Sequence, residues 1–198
     1  MLRFIINLFL TLWLGLLAAA VVQTHREVDW SQVKGLEPIP AKEAPPDILG
    51  RLEQAVWRRN VPLELSETEV NRYLSRVITG QQAGFTAPAV QFDRLALDFE
   101  QDQCRACFSW RVGDKVKQSA VLAFSVERRG DNFIIEPQSG AYGRLPVLRG
   151  MMCALTPALI SLCGALEDEI HTVFQMNQIR FGKDKVILDP RSEIESRP

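Results

Sequence analysis

The feature that most constrains the fold of this chain is a late apolar segment, residues 143–174. Its large apolar residues recur at spacings of three or four, which places them on one face of a helix. Thr156 and Pro157 have the residue types of an N-cap and a first helical position, so we predict a short lead-in turn and a helix over 157–174. The apolar face consists of Leu148, Met152, Leu155, Leu159, Leu162, Leu166, Ile170 and Phe174.

Between residues 88 and 142 the apolar pattern has a period of two, which is typical of strands with one buried face. An irregularity at Asp93–Arg94 predicts a β-bulge. Two short apolar runs around residues 182–185 predict a terminal hairpin. We therefore predict an α+β fold in which a curved antiparallel meander sheet packs around one or two amphipathic helices.

Two shorter helices are predicted before the strands. Residues 47–59 form a short amphipathic helix with Ile48, Leu52 and Val56 on one face. Trp57 on this helix is interpreted as ordinary packing, with contact to a membrane surface as the alternative. Ser66 and Glu69 form a capping box for a second helix, which ends near Gly80.

The N-terminus carries nineteen uncharged residues, Phe4–Val22. As a helix this run would be about 28 Å long, close to the roughly 30 Å hydrocarbon core of a bilayer. Ala18–Ala20 resembles a signal-peptide cleavage site, but the apolar run is longer than a signal peptide requires. We favour an uncleaved, single-pass anchor in the cell membrane over a cleaved signal. Either outcome places the domain on the periplasmic or exterior side.

The predicted organisation is an anchor over residues 1–23, a tether over 24–46, a domain over 47–190 and a flexible tail over 191–198. The tether contains four prolines within nine residues, which makes it extended and semi-rigid. The 23 basic and 24 acidic residues nearly cancel, so the composition gives no electrostatic case for nucleic-acid binding.

The candidate chemistry is sparse. His171 stands beside Glu167, Asp168 and Glu169, which we interpret as the polar face of a helix rather than a catalytic cluster. We predict no catalytic residue, no metal site and no cofactor, and therefore no enzyme.

Four cysteines raise a separate question. Cys104 and Cys107 are compatible with buried structural thiols, with a disulfide or with metal or redox chemistry, although a straight strand would point them to opposite faces. Cys153 and Cys163 are interpreted as small core residues.

Two motifs resemble the YpmS-like family of small bacterial membrane-anchored proteins. The first contains Ser66, Glu67, Glu69, Asn71 and Leu74, and the second is Gly143, Arg144, Leu145 and Pro146. The resemblance covers residues 60–190 and implies a relative of the tubular lipid-binding (TULIP) architecture, in which a curved sheet wraps an apolar helix. It implies no catalytic residue.

Taken together, the pattern and the resemblance predict a non-enzymatic domain with an elongated apolar groove for a lipid or other hydrophobic ligand. One alternative is a dry core in a module that docks on an envelope protein, through a sheet edge such as the 179–188 hairpin. The predicted groove residues are Leu97, Phe99, Trp110, Leu122, Phe124, Met152, Leu155, Leu159 and Leu162.

Overall fold

The computed structural model describes residues 2–31, 33–36, 46–82, 90–113, 116–130, 132–148, 162 and 164–191 of the 198-residue chain. These residues form an α+β fold with an antiparallel meander, as predicted. The helices are α1 (Leu2–His25), α2 (Ile48–Arg58), α3 (Glu67–Gln82) and α4 (Glu167–Val173). The strands are β1 (Leu63–Ser66), β2 (Val90–Glu100), β3 (Gln103–Val112), β4 (Val116–Arg129), β5 (Asn132–Tyr142), β6 (Leu145–Val147), β7 (Gln178–Gly182) and β8 (Lys185–Asp189).

Helix α1 carries the N-terminal apolar run. Its 24 residues extend for about 36 Å, enough to cross a hydrocarbon core of about 30 Å. Large side chains along it, such as Phe4, Leu12 and Trp13, are exposed. Among the described residues, α1 is the one helix long and apolar enough to span a membrane.

The main sheet is a five-stranded meander in the order β2-β3-β4-β5-β6. A register shift between Phe92 and Arg94 confirms the predicted bulge. One face of this sheet, which we call the inner face, contributes side chains such as Leu95, Phe108 and Ala120 to the main hydrophobic core. Strand β6 was not predicted, because three residues are too few to show a period.

A second sheet has the order β1-β8-β7 and contains the predicted terminal hairpin. Backbone hydrogen bonds join this hairpin to one end of the main sheet. The Asp184 N–H donates to the Phe99 carbonyl at 3.0 Å, and the Asp102 N–H donates to the Phe181 carbonyl at 3.1 Å. The hairpin therefore closes one end of the space between the main sheet and the helices.

The predicted capping box begins α3. The Ser66 N–H and hydroxyl donate to Glu69 Oε2 at 3.0 and 2.8 Å, and the Glu69 N–H donates back to the hydroxyl at 3.3 Å. These Ser66 donors lower the pKa of the Glu69 carboxyl, which also pairs with Arg51 at 3.0 Å. Helix α3 therefore starts where the sequence indicates.

Helix α2 is present as predicted, with Asp47 as its N-cap and with Ile48 and Leu52 buried. The interpretation of Trp57 as ordinary packing is wrong, because its side chain is 85% exposed. Trp57 lies outside the apolar stripe of α2, so it faces solvent when the stripe is buried.

The late apolar segment differs from the predicted helix over 157–174. Residues 149–161 and 163, with Met152, Leu155 and Leu159, lie outside the described residues. Within the described part the helix is interrupted at Leu166, whose φ of −123° and ψ of 29° are not helical. Helix α4 begins at Glu167, where three consecutive acidic residues favour a helix N-terminus. Leu148 is not on the apolar face, since it follows β6 and is 77% exposed.

The predicted tether is not a free spacer over the part that the structure describes. Val28 and Val33 are buried against Ala96, Cys107 and Val121 on the outer face of the main sheet. The tether prediction relied on the prolines at positions 38–46 and overlooked these two valines. Residues 37–45 of the tether and 192–198 of the tail lie outside the described residues.

Candidate ligand-binding cavity

An apolar cavity of about 280 Å³ lies between the inner face of the main sheet, the helices and the terminal hairpin. Alternate residues of a strand lie on the same face of a sheet, so the inner face presents one set of side chains from each strand to the cavity. The main sheet contributes Leu97, Phe99, Phe124, Val126 and Ile135. The helices contribute Ile48, Leu52, Val70, Tyr73, Leu74, Glu169, Ile170 and Val173, and the residues that flank α4 contribute Leu166 and Phe174. The second sheet contributes Leu65, Ile179, Phe181, Val186 and Leu188.

Three of the predicted groove residues line this cavity: Leu97, Phe99 and Phe124. Leu162, Leu122 and Trp110 belong to the surrounding core instead. Trp110 is 5% exposed and stacks on Phe108 with 5.5 Å between the ring centroids. Met152, Leu155 and Leu159 lie outside the described residues.

One polar pair lies directly behind the apolar lining. The Tyr73 hydroxyl on α3 donates to Glu169 Oε1 on α4 at 2.6 Å. Burial raises the pKa of the Tyr73 phenol, and the adjoining carboxylate raises it further, so the tyrosine stays protonated and remains a donor. The two groups satisfy each other, so neither presents a polar surface to the cavity.

The mouth of the cavity is bordered by apolar side chains that remain half-exposed. Ile135 on β5 is 51% exposed and Phe174, directly after α4, is 47% exposed. The Phe174 ring stacks on Phe133 with 5.9 Å between centroids. Exposed apolar groups around a concave apolar opening are typical of a binding site rather than of a closed core.

The motif around Ser66 also has a structural role that the sequence analysis did not identify. The buried Glu67 carboxylate accepts the Lys34 N–H at 2.8 Å and the Phe99 N–H at 3.0 Å. Burial raises the pKa of Glu67, and these two N–H donors oppose that shift. Asn71, which is 0% exposed, bonds the Leu97 N–H and both the Leu97 and Lys34 carbonyls at 2.7 to 2.8 Å. We call Glu67 and Asn71 the edge clamp, because they hold the β2 edge and residue 34 together.

The signal for the edge clamp was visible in the sequence. Glu67 and Asn71 are spaced with Val70, Leu74 and Ile78 along the buried stripe of α3. A charged residue and an amide inside an apolar stripe indicate buried polar groups with specific partners.

The second motif holds the end of α1. Gly143 has a φ of +55°, and a Cβ there would lie 2.4 Å from the Arg26 carbonyl oxygen. The Arg144 N–H donates to the Gln23 carbonyl at 3.0 Å, and its Nε donates to the Glu27 carbonyl at 3.2 Å. A guanidinium is also electrostatically favourable at a helix C-terminus. The two motifs therefore fix the end of α1 and residues 26–31 and 33–36 to the domain.

The two described cysteines lie on opposite faces of β3. Cys104 belongs to the main core and Cys107 to the outer cluster with Val28 and Val33, and neither is bonded to the other. Burial raises the pKa of both thiols, that of Cys107 to about 11. Buried thiols with raised pKa values are poor nucleophiles. Cys153 and Cys163 lie outside the described residues.

His171 lies on the solvent side of α4, with its Nδ1 3.0 Å from Gln175 Nε2. It borders a broad, open surface depression that also includes Trp57 and Asp168. Among the described residues, no group of three or more histidine, cysteine or acidic side chains is placed to hold a metal ion.

No protein-family model and no curated protein sequence matches this chain. A function is therefore inferred from its own geometry.

Proposed function

We propose that this protein is a membrane-anchored, extracytoplasmic and non-enzymatic domain that binds a single-chain hydrophobic molecule. The observation that carries the proposal is the apolar cavity with its half-exposed apolar mouth. Protein interiors contain few voids larger than a water molecule, and an empty space of this size would forfeit packing energy. An apolar occupant would restore those contacts.

The volume favours one hydrocarbon chain. At about 280 Å³ the cavity is just below the roughly 300–1,000 Å³ range of ordinary ligand sites. A two-chain lipid would not fit inside it.

The proposed anchor is α1, whose length and composition suit a membrane span. The edge clamp and the Gly143–Arg144 turn hold the segment that follows α1 against the sheet. The cavity would therefore remain close to a membrane, where single-chain amphiphiles are concentrated.

Filling the cavity should weaken ligand binding. Val126→Trp places an indole in the cavity and should reduce labelling by about tenfold, because the ligand can enter only by displacing a packed side chain. The measurement uses the full chain in lipid nanodiscs and a palmitate analogue carrying a diazirine on its chain. Mass spectrometry then shows whether the labelled peptides come from β2 and β4, which line the cavity, or from α1, which is the proposed anchor.

Val116→Trp is the matched control, because Val116 lies on the same strand but is 39% exposed and outside the cavity. It should leave the labelling of β2 and β4 unchanged. Thermal unfolding of both variants reports whether they are folded. Labelling confined to α1 in the wild type, or equal labelling of a folded Val126→Trp variant, would contradict the proposal.

A further inference from the structure

We propose that the cavity binds an anionic amphiphile, with its carboxylate or phosphate held by Arg128 at the mouth and its single chain inside. This inference rests on the proposed function and adds the chemistry of the headgroup. It follows from where the apolar face of β4 ends.

Arg128 continues the line of residues that forms the cavity wall. Phe124, Val126 and Arg128 are alternate residues of β4 and therefore share the inner face. Across the sheet, Val126 pairs with Ile135 and Arg128 pairs with Phe133. Val126 and Ile135 therefore line the cavity and its mouth. Arg128 lies two residues after Val126 on the same face of β4.

The guanidinium is held at this position by neutral partners. Its Nε donates to the Gly130 carbonyl at 2.8 Å, and its Nη1 donates to the Asn177 carbonyl at 2.9 Å and to the Asn177 side-chain oxygen. It lies 5.9 Å from the centroid of the Phe133 ring, which in turn stacks on Phe174 at the mouth. Arg128 therefore lies one stacked ring away from the mouth residue Phe174, and its contacts orient it before any ligand arrives.

The charge of Arg128 is not neutralised. Within the described part of the chain, no carboxylate lies within ion-pair distance of it and its Nη2 makes no hydrogen bond. The nearby Glu127 and Glu136 occupy the opposite face of the sheet, where both pair with Arg129 at 2.9 Å. A guanidinium with a free edge is well suited to a carboxylate or a phosphate.

The acidic group behind the cavity wall favours one orientation of the ligand. Glu169 faces Tyr73 and precedes Phe174 by more than one helical turn of α4. An anionic headgroup would be repelled there and attracted at Arg128. The hydrocarbon chain would accordingly point from the mouth into the cavity.

The test compares three diazirine probes on the full chain in nanodiscs: palmitate, palmitoyl lysophosphatidate and hexadecanol. Arg128→Gln should raise the half-saturating concentration of an anionic probe about tenfold and leave hexadecanol unchanged, because only the anion loses a charge-assisted contact. Arg128→Lys should recover part of the loss. Arg129→Gln, which removes a neighbouring charge from the other face, should change none of the three.

The outcomes separate the headgroup assignment from the proposed function. A loss for either anion supports the assignment and identifies its headgroup as carboxylate or phosphate. Equal binding of all three probes, unaffected by Arg128→Gln, overturns the assignment and leaves the cavity as the ligand site. An equal loss for hexadecanol also overturns it, since Arg128 would then only support the structure of the mouth. No cavity labelling of the wild type by any probe refutes the proposed function itself.

Discussion

Replacing Asn71 with aspartate should destabilise the domain by at least about 3 kcal/mol, although the two side chains have nearly the same shape. The Asn71 amide nitrogen donates to the Leu97 and Lys34 carbonyls at 2.7 and 2.8 Å, in a site with no solvent exposure. A carboxylate would place a buried negative oxygen against both carbonyls. For a chain of this size the loss corresponds to a fall in Tm of roughly 6–12 °C.

Thermal unfolding of the full chain, followed by circular dichroism, checks this result. Asn60→Asp makes the same chemical change at an exposed position directly after α2, and it should alter stability by no more than about 0.5 kcal/mol. If the two variants unfold at the same temperature, Asn71 does not hold the β2 edge as described.

Replacing Gly143 with valine should detach the segment after α1 from the sheet. The Cβ of any other residue would lie 2.4 Å from the Arg26 carbonyl oxygen and 2.6 Å from the carbonyl oxygens of Gln23 and Thr24. These are backbone atoms, so the clash can be relieved only by moving the segment. Amide exchange at Val28, whose N–H donates to the Ser119 hydroxyl at 3.0 Å, should accelerate at least tenfold, on the order of 1.4 kcal/mol of lost protection.

Gly130→Val separates the clash from backbone strain. Gly130 has a similar φ of +63°, but no atom lies within 4 Å of the position of its Cβ. Gly130→Val should therefore lower the stability of the domain through the strain of a β-branched residue at positive φ. It should not accelerate amide exchange at Val28. If both variants accelerate exchange at Val28 equally, the contact between Gly143 and the end of α1 is not what holds the segment in place.

Features set by short-range chemistry were predictable from the sequence. The capping box at Ser66 and Glu69, the bulge after Phe92 and the 178–189 hairpin each depend on residues that are neighbours in the chain or directly paired. Alternation along β4 likewise placed Phe124 on the cavity side of the sheet. These patterns require no knowledge of which distant segments meet.

The missed features depend on long-range contacts. Asn71 meets Lys34 across 37 positions, and Val28 meets Ser119 across 91 positions. The spacing of apolar residues within a segment does not indicate which distant residues that segment contacts. The sequence alone therefore predicts that residues 26–36 belong to the tether. The break at Leu166 was missed for a related reason, since a buried leucine fits an apolar stripe whether or not its backbone is helical.

The cavity was predicted only in part. Leu97, Phe99 and Phe124 were identified from the inner face of the sheet, whereas the walls formed by α2, α3 and the terminal hairpin were not. Each of those elements has an apolar face of its own, and the sequence does not state which faces meet. The pairing of Arg128 with Phe133 likewise depends on the register of β4 and β5, which the sequence does not give.

The most direct measurement of whether the cavity is a ligand site is native mass spectrometry of the full chain released from its own membranes. We expect a population carrying one additional mass that corresponds to a single-chain amphiphile, and we expect this population to be lost in Val126→Trp but not in Val116→Trp. Protein that is always free of such a mass, and that crosslinks in membranes to a stoichiometric protein partner, would contradict it and favour a docking module with a dry core.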